Sequence, residues 1–306
     1  MGTLKKAWRQ RMLVLMIIPV IVWTAIFSYA PLAGWLVAFK EYQPSKGFAG
    51  IFSAPFVGLK FFREFFTDKQ FYQTLRNTVA MGGLVIVIGT FAAIAFALLL
   101  NEVKCQWFKK IVQSFSYLPR FLSWVVVASV FYLVLSTDGG IVNEILTRLK
   151  LIKAPVAWLT QGKSFWSIIT IADIWKNMGW NAIIYIAAIS GVDTALYEAA
   201  EVDGITRWGK IWHITLPGIR STIVILFVLA VGNLLNASGF DQSFLMGNPM
   251  TMAYSDNLAV YVYRNAFVMG RYSMSASISM INSVISLLLL AGANKLSSLA
   301  IDEKVI

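Results

Sequence analysis

Long uncharged apolar blocks, separated by short polar segments, set the plan of this chain. Residues 12–39 run for 28 positions without a charge, residues 77–101 for 25, and residues 272–294 for 23. Residues 221–240 add 20 more uncharged positions. Residues 121–137 add 17 and extend backwards through 111–119, with only Arg120 interrupting. Residues 164–192 make a block of 29 that contains Asp173 and Lys176. About 20 apolar residues carry a helix across a bilayer, so the pattern predicts six transmembrane helices and an all-α polytopic fold. Membrane barrels use segments of about 10 residues that alternate apolar and polar, and these blocks do not alternate.

The whole of 1–306 reads as a single transmembrane domain. Lys5, Lys6, Arg9 and Arg11 precede the first block as they would precede a signal peptide. Its length exceeds the roughly 7–15 apolar residues of a signal core, and Pro31 and Trp35 make a poor cleavage region, so it is expected to be a retained helix. Six spans place both termini on one side. The basic N-terminus, with Lys104, Lys109 and Lys110 in the short loop after the second span, favours the cytoplasmic side for both. An outer segment at 40–74 then contains Phe61, Phe62, Phe65 and Phe66 on one helical face, with Lys60, Arg63, Glu64 and Lys69 largely elsewhere. Such a helix either lies in the membrane interface or packs against the bundle.

Composition removes most other readings. Hydrophobic residues make up 58% and charged residues 13%, against about 45–50% and 25% in soluble domains, which excludes a soluble enzyme. The net charge of +11 fits basic residues flanking membrane spans beside anionic lipid; no basic stripe with interleaved aromatics points to nucleic acid. Cys105 and His213 are the only residues of their kinds. They leave no intrachain disulfide, no His/Cys zinc set and no nucleophile–base pair. Neither a catalytic residue nor a metal site is expected. Nor can the chain hydrolyse ATP: the nearest fragment to a phosphate-cradling loop, Gly162-Lys163-Ser164, has Ala157 where the first glycine is required.

One polar segment stands out, the loop at 193–220. Thr194 is a candidate N-cap for a helix containing Tyr197, Glu198, Ala199 and Ala200. Asp203-Gly204 supplies a turn in which positive φ is cheap. A second short helix is expected over 207–213, ended by Pro217. Two short helices held against the membrane add little to a bundle. They suit a partner protein, with Glu198 and Glu201 offering charge, Ala199 and Ala200 permitting close approach, and Gly204 setting the interhelical angle. An ordinary packed intracellular loop is the alternative.

Glu198-Ala199-Ala200, then Gly204, Ile214, Leu216 and Pro217, at these spacings and between these spans, resemble the EAA loop of binding-protein-dependent ABC importer permeases. Asn77-Thr78 at the start of the second span is similar to that family's entry. The stretches 117–124 (Tyr117, Pro119, Arg120, Ser123, Trp124) and 175–180 (Trp175, Lys176, Asn177, Gly179, Trp180) resemble its carbohydrate-uptake branch, in particular permeases for oligosaccharides derived from polysaccharides. The resemblance implies the type I importer permease fold in a bacterial cytoplasmic membrane. It implies half of a translocation pathway, paired with a second permease, most simply as a heterodimer. It further implies two ATPase subunits, which hold the ATP and Mg²⁺, and an extracytoplasmic sugar-binding protein. The loop would be the coupling helix, involving Glu198, Ala199, Ala200, Asp203, Gly204, Arg207, Leu216 and Pro217, with Glu198 pairing to a basic residue of the ATPase. No cofactor is expected in this chain itself.

For a sugar pathway, amides and aromatic faces inside spans are the candidates, because polar groups in lipid are costly and turn toward cavities. Asn233, Asn236 and Phe240 would share one face of the fifth span. Asn282 lies on a polar stripe of the sixth span with Ser275, Ser279, Ser283 and Ser286, where the serines suit helix packing. Trp180 and Asn181 lie on the fourth span. Asp173 and Lys176, three apart, could pair; charges inside a span often mark ion pathways, and a structural pair is the favoured reading. The competing function, an ion-coupled secondary transporter, would use Asp173 and Lys176, but no inverted repeat is visible.

Overall fold

The computed structural model describes residues 10–237 and 239–301. Lys5, Lys6 and Arg9, which carried the N-terminal charge argument, lie outside the described residues. Among those residues the fold is α-helical, and the only strand-like pairing is an isolated bridge between Lys40 and Phe56. The chain divides into two compact units, Met1–Asp68 with Val262–Ile281, and Lys69–Tyr261 with Asn282–Ile306.

Three helices are long and apolar enough to cross a membrane alone. The first is α1 (Arg11–Thr24), which continues through a π-helical turn (Ala25–Tyr29) into a 3-10 segment (Ala30–Phe39). Its side chains are almost all exposed, as suits a helix whose solvent is lipid. The first unit also contains α2 (Lys60–Thr67), while α3 (Lys69–Glu102) opens the second. The remaining candidate spans are bent. In the third, α4 (Gln106–Tyr117) and a 3-10 turn (Leu118–Phe121) meet α5 (Trp124–Leu135) at 105°. The fourth is α6 (Gly162–Ser190), which turns by 70° into α7 (Thr194–Val202). After a short α8 (Arg207–Lys210), the segment Arg207–Gly218 meets α9 (Arg220–Gly232) at 62°. Then come α10 (Phe240–Met246) and α11 (Tyr272–Ile301). Counting each bent pair as one span gives the expected six.

The third block therefore does not form one straight helix through Arg120. Pro119 has no N–H to give, the chain tightens into a 3-10 turn, and Ser123 starts a new helix by accepting the Val126 N–H at 3.3 Å.

In the first unit, α2 buries Phe65 at 1% exposure, and Phe62 sits 5.3 Å from Phe39. Phe66 remains exposed. Ion pairs Lys60–Glu41 and Arg271–Glu64 join α2 to the rest of that unit. This is the packing alternative for the 60–69 helix, with Phe66 as the exception. Ser273 and Ser275 donate to the Lys40 and Val262 carbonyls at 2.7 and 2.9 Å, so these serines do packing work.

The second unit is built around α3 and α6, the most extensively packed pair of elements. One apolar cluster gathers Met81, Val127, Phe165, Ile169 and Met246; another gathers Ala93, Ala97, Ala182, Tyr185, Ile189 and Ile219. Asn77 donates to the Ala253 and Asp256 carbonyls, and Thr78 accepts the Leu258 N–H at 2.9 Å. The pair Asn77-Thr78 thus fastens the irregular chain after α10 to the start of α3. Gly179 lets α6 and α4 touch, since a Cβ there would overlap the Ser116 carbonyl.

Candidate functional site: a surface loop and a polar mid-span cluster

The 193–220 loop is a helix–turn–helix whose C-terminal end, through Ile219, packs on α3 and α6. Asp193, not Thr194, caps α7: its carboxylate accepts the Ala195 N–H at 2.9 Å from an extended backbone. A carboxylate at this end also meets the positive pole of the helix. The turn is as expected. Gly204 has φ +69°, the Gly204 N–H donates to the Glu201 carbonyl at 3.1 Å, and the Ile205 N–H donates to the Ala200 carbonyl at 2.9 Å. Those two bonds form a Schellman termination, which places glycine in the left-handed position. Thr206 then caps α8 by accepting the Gly209 N–H at 3.2 Å.

Past α8 the structure departs from expectation. The helical path continues through a π-turn (Ile211–Thr215) and a further turn (Leu216–Gly218), and breaks at Ile219. Pro217 does not stop the helix. It occupies the first turn of the Leu216–Gly218 piece, where a missing N–H costs nothing.

Within the loop, Ala200 is buried and the Tyr197 and Thr215 hydroxyls are 2.9 Å apart. Glu201 pairs with Lys210 at 2.7 Å, and this partner holds the Glu201 carboxyl below its ordinary range. Of the residues expected to face a partner, Glu198, Ala199, Asp203, Arg207 and Pro217 are exposed, and Leu216 is half-buried. Ala200 is turned inward, because it follows Ala199 by 100° around the helix. Glu198 makes no hydrogen bond or ion pair among the described residues. Trp208 and Trp212, exposed at 70% and 64%, were not singled out in the sequence. Their signal was present in the i, i+4 spacing of two tryptophans on one helical face.

The expected pathway residues are only partly brought together. The helix containing Asn233 ends there (φ −98°, ψ 12°), and Gly239 (φ +49°) makes a second break before α10. Asn233, Asn236 and Phe240 therefore do not share a helix face. Asn233 donates to the Leu229 carbonyl at 3.1 Å. Asn236 instead meets Asn282, whose amide donates to it at 3.4 Å. Trp180 and Asn181 lie near the middle of α6. Asn181 lines a cleft of about 240 Å³ with Asp173, Thr90 and Tyr185; Asn233, Asn236 and Phe240 do not reach it.

Asp173 and Lys176 form no ion pair, contrary to expectation. One Asp173 oxygen accepts from Asn177 at 2.8 Å and from Gln242 of α10 at 2.9 Å. Lys176 points the other way, over the Trp124 ring at 5.6 Å. Its ammonium donates to the carbonyls of Pro119 (3.3 Å), Arg120 (3.0 Å) and Leu122. The Pro119 carbonyl also accepts the Leu122 N–H at 3.1 Å, so Lys176 adds to that bond and serves the Arg120 and Leu122 carbonyls at the break in the third span. Lys176 thus supplies three hydrogens to a broken helix end. Arg120, which in the sequence interrupts an apolar run, donates to Asn177 at 2.7 Å.

Residues 85–295 match the model of a family described as "Binding-protein-dependent transport system inner membrane component". The polygalacturonan/rhamnogalacturonan transport system permease protein YteP of Bacillus subtilis (strain 168) is 38% identical over 95% of this chain and 89% of its own length. Protein LplB of the same strain is 37% identical over 94% and 88%. Among solved structures, a chain of a bacterial alginate ABC transporter, in complex with a periplasmic protein that binds an alginate pentasaccharide, is 36% identical. It superposes with a TM-score of 0.87 over 96% of each chain. A bundle of bent spans, a helix–turn–helix loop with an uncommitted acidic residue, and these matches lead to one assignment: the chain belongs to the inner-membrane components of binding-protein-dependent transport systems.

Proposed function

We propose that this permease passes an oligosaccharide across the membrane and is driven through its 193–220 loop by a separate ATPase. The exposed Glu198 carries the coupling half of this reading. It projects from a helix whose other contacts, Asp193 cap, Schellman turn and Glu201–Lys210 pair, are already satisfied within the loop. A rigid knob that leaves the Glu198 carboxylate unspent suits a basic residue in a partner cleft. Ala199 beside it permits close approach, and Trp208 and Trp212 sit on the adjoining exposed surface.

The cargo half rests on α6, where Asn181 lines a cleft in the middle of a span and Asn177 and Trp180 precede it at four and one positions on the same helix. Sugars are held by amide and carboxylate hydrogen bonds and by stacking on aromatic faces. The partners in this proposal are a second permease, two ATPase subunits that bind ATP and Mg²⁺, and an extracytoplasmic sugar-binding protein. Both termini and the coupling loop would face the cytoplasm.

The test is ATP hydrolysis by the reconstituted assembly. Binding protein loaded with oligosaccharide should stimulate it severalfold, and Glu198→Lys should abolish the stimulation while the subunits still co-purify. Stimulation that survives Glu198→Lys would refute the coupling role.

A further inference from the structure

Arg120 sits in an unusual place for a guanidinium. It lies at the bend of the third span, and its partner Asn177 lies midway along α6. A cation at such depth is costly unless it faces water or an anion. Yet Arg120 is exposed, and its one hydrogen bond goes to the neutral Asn177 side chain. No carboxylate lies within ion-pair distance among the described residues. A guanidinium carries five donors in a planar fork, so most of its capacity is unspent.

The surroundings deepen the imbalance. Asp173 is the one acid nearby, and both donors to it are amides, Asn177 and Gln242. Lys176 adds a second cation that is satisfied by carbonyls alone. The cluster therefore holds two positive side chains and one negative. Beside Arg120, Phe121 and Trp180 meet edge to face with ring centroids 6.0 Å apart, both exposed. Asn177, Trp180 and Asn181 follow one another at i, i+3 and i+4 on α6, so the amide that holds Arg120, the ring that meets Phe121 and the cleft amide share one helix face.

We propose that Arg120 is a specificity-determining residue that reads a carboxylate on the cargo, so that the transported oligosaccharide contains uronic-acid units. This rests on the oligosaccharide reading above and narrows it. The planar fork matches a sugar carboxylate bidentately. The faces of Phe121 and Trp180 are placed to take the C–H face of the same or the adjacent ring. A neutral sugar would enter this region and leave the unspent donors of the guanidinium desolvated and unpaired, which disfavours it.

The experiment uses the assembled transporter, both permeases with both ATPase subunits, in lipid nanodiscs without binding protein. Two labelled probes are compared by equilibrium binding: tetragalacturonate, and the same tetrasaccharide with its carboxyls reduced to alcohols. The wild-type complex should prefer the acidic probe by about tenfold or more, the scale of one charge-assisted pair. Arg120→Gln should cut that preference about tenfold, and Arg120→Lys, which keeps the charge without the fork, should fall between. A preference unchanged by Arg120→Gln, or weakened binding of both probes alike, would overturn the assignment; the second result would mean that Arg120 serves packing or an acid of the second permease. Equal wild-type affinity for the two probes would overturn the acidic-cargo inference and leave the oligosaccharide reading standing. Binding of neither probe would remove both.

Discussion

The 193–220 loop and the mid-span cluster hold their charged groups by opposite means. In the loop the polar side-chain contacts of α7 and α8 stay within 193–220, the longest of them, Tyr197 to Thr215, spanning 18 positions. Asp193 reaches Ala195, Thr206 reaches Gly209, and Glu201 reaches Lys210, nine residues away. In the cluster the contacts are long-range. Arg120 meets Asn177 across 57 positions, and Gln242 meets Asp173 across 69. A local device folds as a unit and is recognisable from spacing. A long-range device exists only where two bends bring three elements together, and its members look unrelated in the chain.

The sharpest way to break the local device is Gly204→Leu. The open space around Gly204 accommodates a side chain, but φ +69° does not suit one. A β-carbon in the left-handed region costs about 1–2 kcal/mol, and relief would rotate α8 relative to α7. Oligosaccharide-stimulated ATP hydrolysis should fall by tenfold or more with insertion and assembly intact. Full stimulation would show that the interhelical angle does not matter to coupling.

For the long-range device the corresponding change is Lys176→Met. It keeps the length of the side chain and removes the donor to three carbonyls at the break. Buried acceptors left unmade cost about 1–3 kcal/mol each, tempered by relaxation of the 3-10 turn. The expected loss is about 2–4 kcal/mol, read as a lowered melting temperature of the purified complex. An unchanged melting temperature would mean that water already serves those carbonyls. The comparison then sharpens: Gly204→Leu should uncouple without destabilising the bundle, and Lys176→Met should do the reverse.

The same contrast explains what was legible in the sequence. Membrane spans declare themselves by length and hydropathy, and the six blocks became the three long and three bent spans. The loop declared its turn through Asp203-Gly204, although its cap was misassigned by one residue because Thr194 and Asp193 are both good capping types. Pro217 misled for a physical reason, since proline blocks a helix interior but is welcome in a first turn. The 233–240 face failed at Asn233 and Gly239, where the helix ends twice; periodicity carries no warning of a break between apolar residues. The Asp173–Lys176 expectation failed because i, i+3 spacing makes a pair available without making it the better partner. The carbonyls gathered at a broken helix outcompete one carboxylate that two amides already occupy.

The smallest effect belongs to the pair inside the loop. Glu201 is largely exposed and Lys210 mostly covered, so solvent screens what they gain from each other. Its sign is still fixed. Lys210, by hydrogen bond and then by charge, holds the folded Glu201 carboxyl below its unfolded value. A group with a depressed folded pKa contributes stability above the unfolded value and loses it as pH falls through the folded one. Proteolytic nicking of the loop in the intact complex reads this out. At neutral pH, Glu201→Gln should be nicked slightly faster than wild type, and the gap should close as the medium is brought below the ordinary carboxylate range. A gap that widened in acid would mean that Lys210 is held by something other than the Glu201 charge. The Schellman turn and the two caps would then account for the loop's rigidity without the ion pair.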